Sequence, residues 1–253
     1  MHAKLIACEV FAREICFCMA ATPNVIDVEF TDIASHDRPE TMRKLLQDKI
    51  DAADSCGRDY DAVLLCIGLC GNATVGLTSR LTQLVIPRAH DCATILLGSK
   101  KLFKKHFQEM PSQPYSSRGH MEHNYECDVR CLWTKDALVQ KAEYAKRYGE
   151  DNAAAIFDVM NPHVAHGAHG ARSRVVYIDI AQTRSDECIA AAQDKATRDG
   201  ADFVRLKGSL HLIRNLMSGN WYPEDFLVVK PGKTIAGEYD WETIIRAEMN
   251  LES

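Results

Sequence analysis

With 253 residues, the chain is long enough for one large α/β domain or two smaller lobes. Apolar residues make up 46% and charged residues 26%, an ordinary globular balance, and a net charge of −5 without a basic patch argues against nucleic acid as a partner. No apolar run approaches the ~18 residues of a membrane span, and the segment Met1 to Glu9 lacks the pattern of a secretory signal. The ten cysteines are therefore expected as reduced thiols in the cytoplasm, not as a disulfide framework.

Lys4 to Val10 reads as an opening strand and Phe11 to Ala21 as a short helix carrying Cys16 and Cys18. Val25 to Phe30 alternates as a second strand, and Arg38 to Ala53 has helical spacing with Met42, Leu45, Leu46 and Ile50 on one face. Pro39 suits the first turn of that helix. Asp61 to Ile67 and Gln83 to Ile86 are the third and fourth strands. Asp91 is placed to cap a helix from Cys92 to Phe107. Met110 to Cys131, rich in Pro, Ser, Gly, His and Tyr, reads as a long loop. Helix is expected over Thr134 to Met160, strand over Arg174 to Ile180, helix over Ser185 to Arg198, strand over Phe203 to Leu206, helix over Ser209 to Ser218 and strand over Phe226 to Val229. The alternation predicts an α/β fold with a mostly parallel, doubly wound (Rossmann-like) sheet, arranged as an N-terminal lobe over 1–109, a loop over 110–133 and a C-terminal lobe over 134–253, or as one continuous domain.

Two segments carry the chemistry. Cys66-Ile67-Gly68-Leu69-Cys70-Gly71-Asn72 and Pro87-Arg88-Ala89-His90-Asp91-Cys92 each follow an apolar strand, so their thiols fall at the carboxyl edge of the sheet, where open α/β sheets bind ligands. Thiolates and an imidazole converging there are soft metal ligands. Cys70 is a ligand or a buried thiol on a tight turn, and Gly68, Gly71 and Asn72 beside it suit close approach of a cofactor. Cys92 in the first turn of a helix is a ligand or nucleophile favoured by the dipole, or it packs; His90 is its nearest imidazole. Cys8 ends the first strand and completes a three-thiolate set or belongs to the core. Cys66 reads as core packing. Arg88 can hold a carboxylate or phosphate, or a surface ion pair. Glu14 lines the same edge as a catalytic group or is a solvated helix charge, and at most one of Cys16 and Cys18 faces the site. Cys127 and Cys131, with His120 and His123 before them, have chelating spacing but no second pair. His163, His166 and His169 lie in a Pro- and Gly-containing stretch that reads as a loop.

At these residues the chain resembles a known family, domain of unknown function 1638. The resemblance rests on Leu65 to Asn72, Val75-Gly76-Leu77, Val85 to Thr94, Leu96 to Ser99, and Asp225 to Val229 with Pro231-Gly232. It implies a bacterial or archaeal protein found near corrinoid-dependent methyl-transfer systems, hence one-carbon metabolism and a corrinoid protein as a partner. The Gly-Thr-Tyr and Thr-Pro-Gly-Trp stretch of the family is replaced here by the region Met110 to Glu122, without the Trp, which points to a different substrate.

The expected function is a metal-dependent transferase that activates a thiol or another small substrate at Cys8, Cys70, His90 and Cys92, with zinc as the first choice of metal. His90-Asp91-Cys92 followed by a distant Cys resembles the zinc site of thiol-activating methyltransferases. The alternatives are an iron–sulfur protein with a 4Fe–4S cluster on the same thiols, and a non-catalytic accessory protein that binds metal or corrinoid. No G-x-S-x-G, G-x-G-x-x-G or Walker loop is present.

Overall fold

The computed structural model describes residues 1–32, 39–110, 113–123, 142, 144–146, 149–150, 152–153, 174–238 and 240–249. The chain forms two compact units. The first comprises Met1–His106, Ile180–Arg184 and Lys207–Ser253; the second comprises Phe107–Asp179 and Ser185–Leu206. The division is not sequential, because the C-terminal segment returns to the unit begun by the N-terminus.

In the first unit, β1 (His2–Cys8) leads through a 3-10 turn, Glu9–Phe11, into α1 (Ala12–Met19). β2 (Val25–Thr31), α2 (Pro39–Ser55), β3 (Ala62–Cys66) and β4 (Leu84–Pro87) follow. β2, β3 and β4 extend the sheet from β1 in parallel register, with Ala7 opposite both Phe30 and Cys66. Every residue of β3 and β4 is buried, the continuous apolar pattern that strands covered on both faces require. α2 buries Met42, Leu46, Ile50 and Ala53, a stripe at helical spacing, in one cluster with Ile6, Val63, Leu65, Leu84 and Ile86.

The expected mostly parallel α/β fold is observed, with one addition. β8 (Phe226–Val229) joins β4 antiparallel, so the five-stranded sheet, in the order β2-β1-β3-β4-β8, is mixed. Strand addition changes direction at β1: β2 lies on one side and β3 on the other. A hairpin of β9 (Lys233–Gly237) and β10 (Ile245–Met249) follows β8. The short β9 and β10 segments, beyond Pro231-Gly232, carry too few alternating apolar residues to stand out in the sequence.

The single helix expected over Cys92 to Phe107 is two, α3 (Cys92–Leu97) and α4 (Lys100–Phe107). Gly98 ends α3 in the left-handed region at φ 70°. A Cβ there would meet the Ser209 Cβ at 2.8 Å, so only glycine fits the break.

The second unit has a three-stranded sheet of β5 (Tyr115–Ser116), β6 (Arg174–Asp179) and β7 (Asp202–Lys207), with β6 in the middle. The expected long loop thus contains β5 and a short helix, α5 (Arg118–Glu122), among the described residues. α6 (Asp186–Arg198), capped by the Ser185 hydroxyl, buries Ile189, Ala192 and Ala196 against Val175 and Tyr177. In the first unit, α7 (His211–Ser218) packs on α1, β3 and β4 through Leu212, Ile213, Leu216 and Met217. Most of Thr134 to Met160, Cys127 and Cys131, and His163, His166 and His169 lie outside the described residues. No helix among the described residues is long and apolar enough to cross a membrane.

Candidate functional site

Three strand ends build the site. Cys8 is the last residue of β1, one position past Ala7, which pairs with Cys66 at the end of β3. Beyond β3 and β4 the two loops remain joined: Leu69 N–H donates to the Ala89 carbonyl at 2.8 Å and Cys70 N–H to the His90 carbonyl at 2.9 Å. Gly68 makes this approach possible. A Cβ at that position would meet the Asp91 Cα at 2.7 Å, inside any real contact.

Cys70, Gly71 and Asn72 then adopt left-handed backbone in succession, at φ 44°, 63° and 72°. Glycine and asparagine tolerate this region; a cysteine there costs roughly 1–2 kcal/mol, which the surrounding contacts must offset. Arg43 on α2 supplies one, donating from Nη2 to the Asn72 carbonyl at 2.8 Å. Gly76 N–H supplies another to the Ile235 carbonyl at 2.8 Å. Opposite, Asp91 caps α3 by accepting from Thr94 N–H at 3.2 Å, which sets Cys92 at the first position of the helix.

The result is a cluster in which the Cys92 thiol hydrogen-bonds to the thiols of both Cys70 and Cys8. Cys8 is fully buried, Cys92 nearly so, and Cys70 is partly exposed. The eight described cysteines are all thiols, with no disulfide among them. The helix position was expected to favour a Cys92 thiolate. Instead its pKa is pushed well up, first by the neighbouring Cys70 and Cys8 thiols and then by burial. A six-residue helix offers little dipole against the neighbouring thiols and burial.

A second tier lies next to Cys8. Burial pushes the Cys66 thiol well up, and Cys8, Cys18 and Glu14 act in the same direction. Glu14 and Cys18 are one helical turn apart on the buried face of α1, while Cys16 is exposed. The Glu14 carboxylate is buried and accepts the Thr183 hydroxyl. Of Cys16 and Cys18 only Cys18 faces inward, and its spacing of four from Glu14 is the sequence signal for that pair. Thr183 had no local signal at all.

Two of the expected site residues take other positions. The Arg88 guanidinium donates from Nε to the Pro223 carbonyl at 2.8 Å and from Nη1 to the carbonyls of Thr243 at 2.8 Å and Ile245. It fastens the C-terminal segment to the loop after β4. The His90 ring stacks on Phe103 at 5.5 Å and meets Trp241 edge-on at 5.1 Å. Its Nε2 is buried with no hydrogen-bond partner among the described residues. Burial lowers its pKa, against an opposing pull from Asp240. What His90 gives the thiol cluster is its backbone carbonyl. Gly71 and Asn72 lie in the turn after Cys70, and Pro39 packs 3.5 Å from where a Gly71 Cβ would stand.

Among the described residues, no group of three or more His, Cys, Asp or Glu side chains is already arranged to hold a metal ion. The model of a family described as a protein of unknown function (DUF1638) matches residues 30–217. No curated protein and no solved structure matches the chain.

Proposed function

The chain belongs to the DUF1638 family, a membership that assigns no chemistry, and we propose that it is a metal-dependent transferase acting at Cys8, Cys70 and Cys92. One observation carries this reading: three thiols from three separate strand ends are in contact at the carboxyl edge of the sheet, where the strand order reverses.

The donor set fits a soft cation. The Cys70 and Cys8 thiols oppose ionisation of Cys92, so that thiol stays protonated by itself, and a divalent cation inverts that preference. Three thiolates leave one position open on a tetrahedral zinc. Zinc bound there would supply Lewis acidity to lower the pKa of an incoming thiol. Because Cys92 hydrogen-bonds to the other two thiols, closing around an ion needs side-chain rotation, which the partly exposed Cys70 can provide. His90 would have to leave Phe103 and Trp241 to join, so the proposed set is three thiols without the imidazole. Gly71 and Asn72 would face a substrate held beside Cys70, and Glu14 is the nearby carboxylate available to a proton.

Methyl transfer from a corrinoid protein to a small thiol, in a reducing cytoplasm, is the specific form of this reading. A 4Fe–4S cluster with one open iron is the second form, favoured by the all-sulfur donor set. Elemental analysis and an absorption spectrum test both on protein purified without oxygen and without an affinity tag. Near-stoichiometric zinc and no visible band support thiol activation. Iron with sulfide and a band near roughly 400 nm moves the reading to the cluster. Protein without metal that also takes none up on reconstitution refutes both.

A further inference from the structure

We propose that Cys70 and Cys92 form a reversible disulfide that switches the site off. The proposal rests on the metal reading for its consequence, loss of two ligands, but not for its chemistry.

The two sulfurs already lie within hydrogen-bond reach, and their backbones are held together independently of the side chains. Leu69 and Cys70 donate to Ala89 and His90, and Gly68 lies against the Asp91 backbone. A disulfide needs closely spaced Cα atoms and converging Cβ vectors, and the joining of the two loops at Cys70 and just ahead of Cys92 favours that approach. Exposure sets the order of events. Cys70 is the partly exposed member, while Cys8 is fully buried and Cys92 only 6% exposed. An external disulfide therefore meets Cys70 first.

The exchange balances without any other reagent. The Cys70 thiolate attacks one sulfur of a low-molecular-weight disulfide, forming a mixed disulfide and releasing one small thiolate, which takes up a proton. The Cys92 sulfur, having given up its proton, then attacks the Cys70 sulfur and expels the second small thiol. The net change is two protein thiols and one small disulfide converted to one protein disulfide and two small thiols. Cys8 remains reduced, too deeply placed for the oxidant and left without its Cys92 partner.

The test uses the full chain, reduced and metal-free, incubated with excess glutathione disulfide, then alkylated and mapped by mass spectrometry. A peptide pair linked through Cys70 and Cys92, lighter by two hydrogens and restored by dithiothreitol, is the expected result. Mixed disulfides at the exposed Cys16 and Cys56 add mass and are told apart. Cys92 alkylated while Cys70 carries glutathione, or a link from Cys92 to Cys8, overturns the proposal. In Cys92→Ser, Cys70 should stop at the mixed disulfide; a Cys70–Cys8 link in that variant also overturns the pairing. Zinc uptake is measured on the same samples. It should fall to background on oxidation and return on reduction. Reduced protein that never takes up zinc would sink the metal reading, while the peptide map would still decide the disulfide.

Discussion

Replacing Gly68 by alanine tests how the site is assembled. The new Cβ would stand 2.7 Å from the Asp91 Cα and 2.9 Å from its N and C atoms, whereas ordinary contact begins near 3.4 Å. All three obstacles are backbone, so no side-chain rotation relieves them, and the two loops must part by about 0.7 Å. That separation stretches the Leu69 and Cys70 hydrogen bonds from 2.8 and 2.9 Å to a length at which they largely fail. Overpacking costs about 1–3 kcal/mol, and weakening two backbone hydrogen bonds adds part of about 0.5–1.5 kcal/mol each. The sum is about 2–4 kcal/mol. For a chain of this size it lowers the melting temperature by about 5–15 °C. Gly57→Ala is the comparison. Gly57 has a positive φ of 72° but nothing within 4 Å of the added atom, so it reports backbone strain alone, at about 1–2 kcal/mol. Thermal melts of the reduced, metal-free proteins measure both, and the rate of Cys70 alkylation reports the loop directly. A Gly68→Ala protein no less stable than Gly57→Ala, with Cys70 reactivity unchanged, would refute the assembly argument.

Arg88→Lys should lose about 2–4 kcal/mol in urea unfolding, because an ammonium cannot reach the carbonyls of Pro223, Thr243 and Ile245 together; unchanged stability would mean the clamp is ornamental. Cys92→Ala and Cys70→Ala should each abolish metal retention with the circular dichroism spectrum kept, whereas Cys66→Ala should retain metal and lose about 1–2 kcal/mol of stability; full retention in the first two variants would contradict the ligand assignment. The Asp27 carboxylate is held down at about 2 by the Tyr60 hydroxyl, His2 and Arg58, although burial works the other way. Its folded pKa lies below its ordinary 3.8, so its contribution to stability is complete above that value and is lost as pH falls towards about 2. The stability gap between wild type and Asp27→Asn should therefore be flat near neutrality and close over that window in acid unfolding. The His90 pKa is also depressed, which makes the neutral ring the form the fold prefers. Stability should decline as pH drops below about 6.5, and His90→Phe should remove that decline.

The parallel half of the fold was legible because β3 and β4 are continuous apolar runs and α2, between β2 and β3, is strongly periodic. The carboxyl-edge rule then brought Cys8, Cys70 and Cys92 to one place without any knowledge of their contacts. What failed to show were properties set by partners distant in sequence. Arg88 looked like an anion ligand because a lone loop cation reads that way, and its acceptors lie more than a hundred residues on, at Pro223, Thr243 and Ile245. His90 looked like a ligand because it is two residues from Cys92, yet Phe103 and Trp241 hold its ring. The break at Gly98 depends on Ser209, which no local pattern around residue 98 reveals. The antiparallel docking of β8 is likewise invisible, since an apolar run of four residues carries no direction.

The electrostatics of the cluster bear on all of its possible uses. A buried thiol is comfortable as long as it stays neutral, and Cys92 is held neutral by Cys70 and Cys8. The same proximity that blocks ionisation of Cys92 also places the Cys70 sulfur within its bonding reach. Such a site has two ways to lose its protons together. A cation can compensate the charge that three thiolates would otherwise repel, or a disulfide can remove two of the protons with two electrons. The two outcomes exclude each other, because a sulfur in a disulfide is no longer a thiolate ligand. Metal content and disulfide content measured on one preparation must therefore vary inversely if the three thiols act as a unit. Independent variation of the two would mean that the thiols merely pack together, and the site would then have to be sought elsewhere on the molecule.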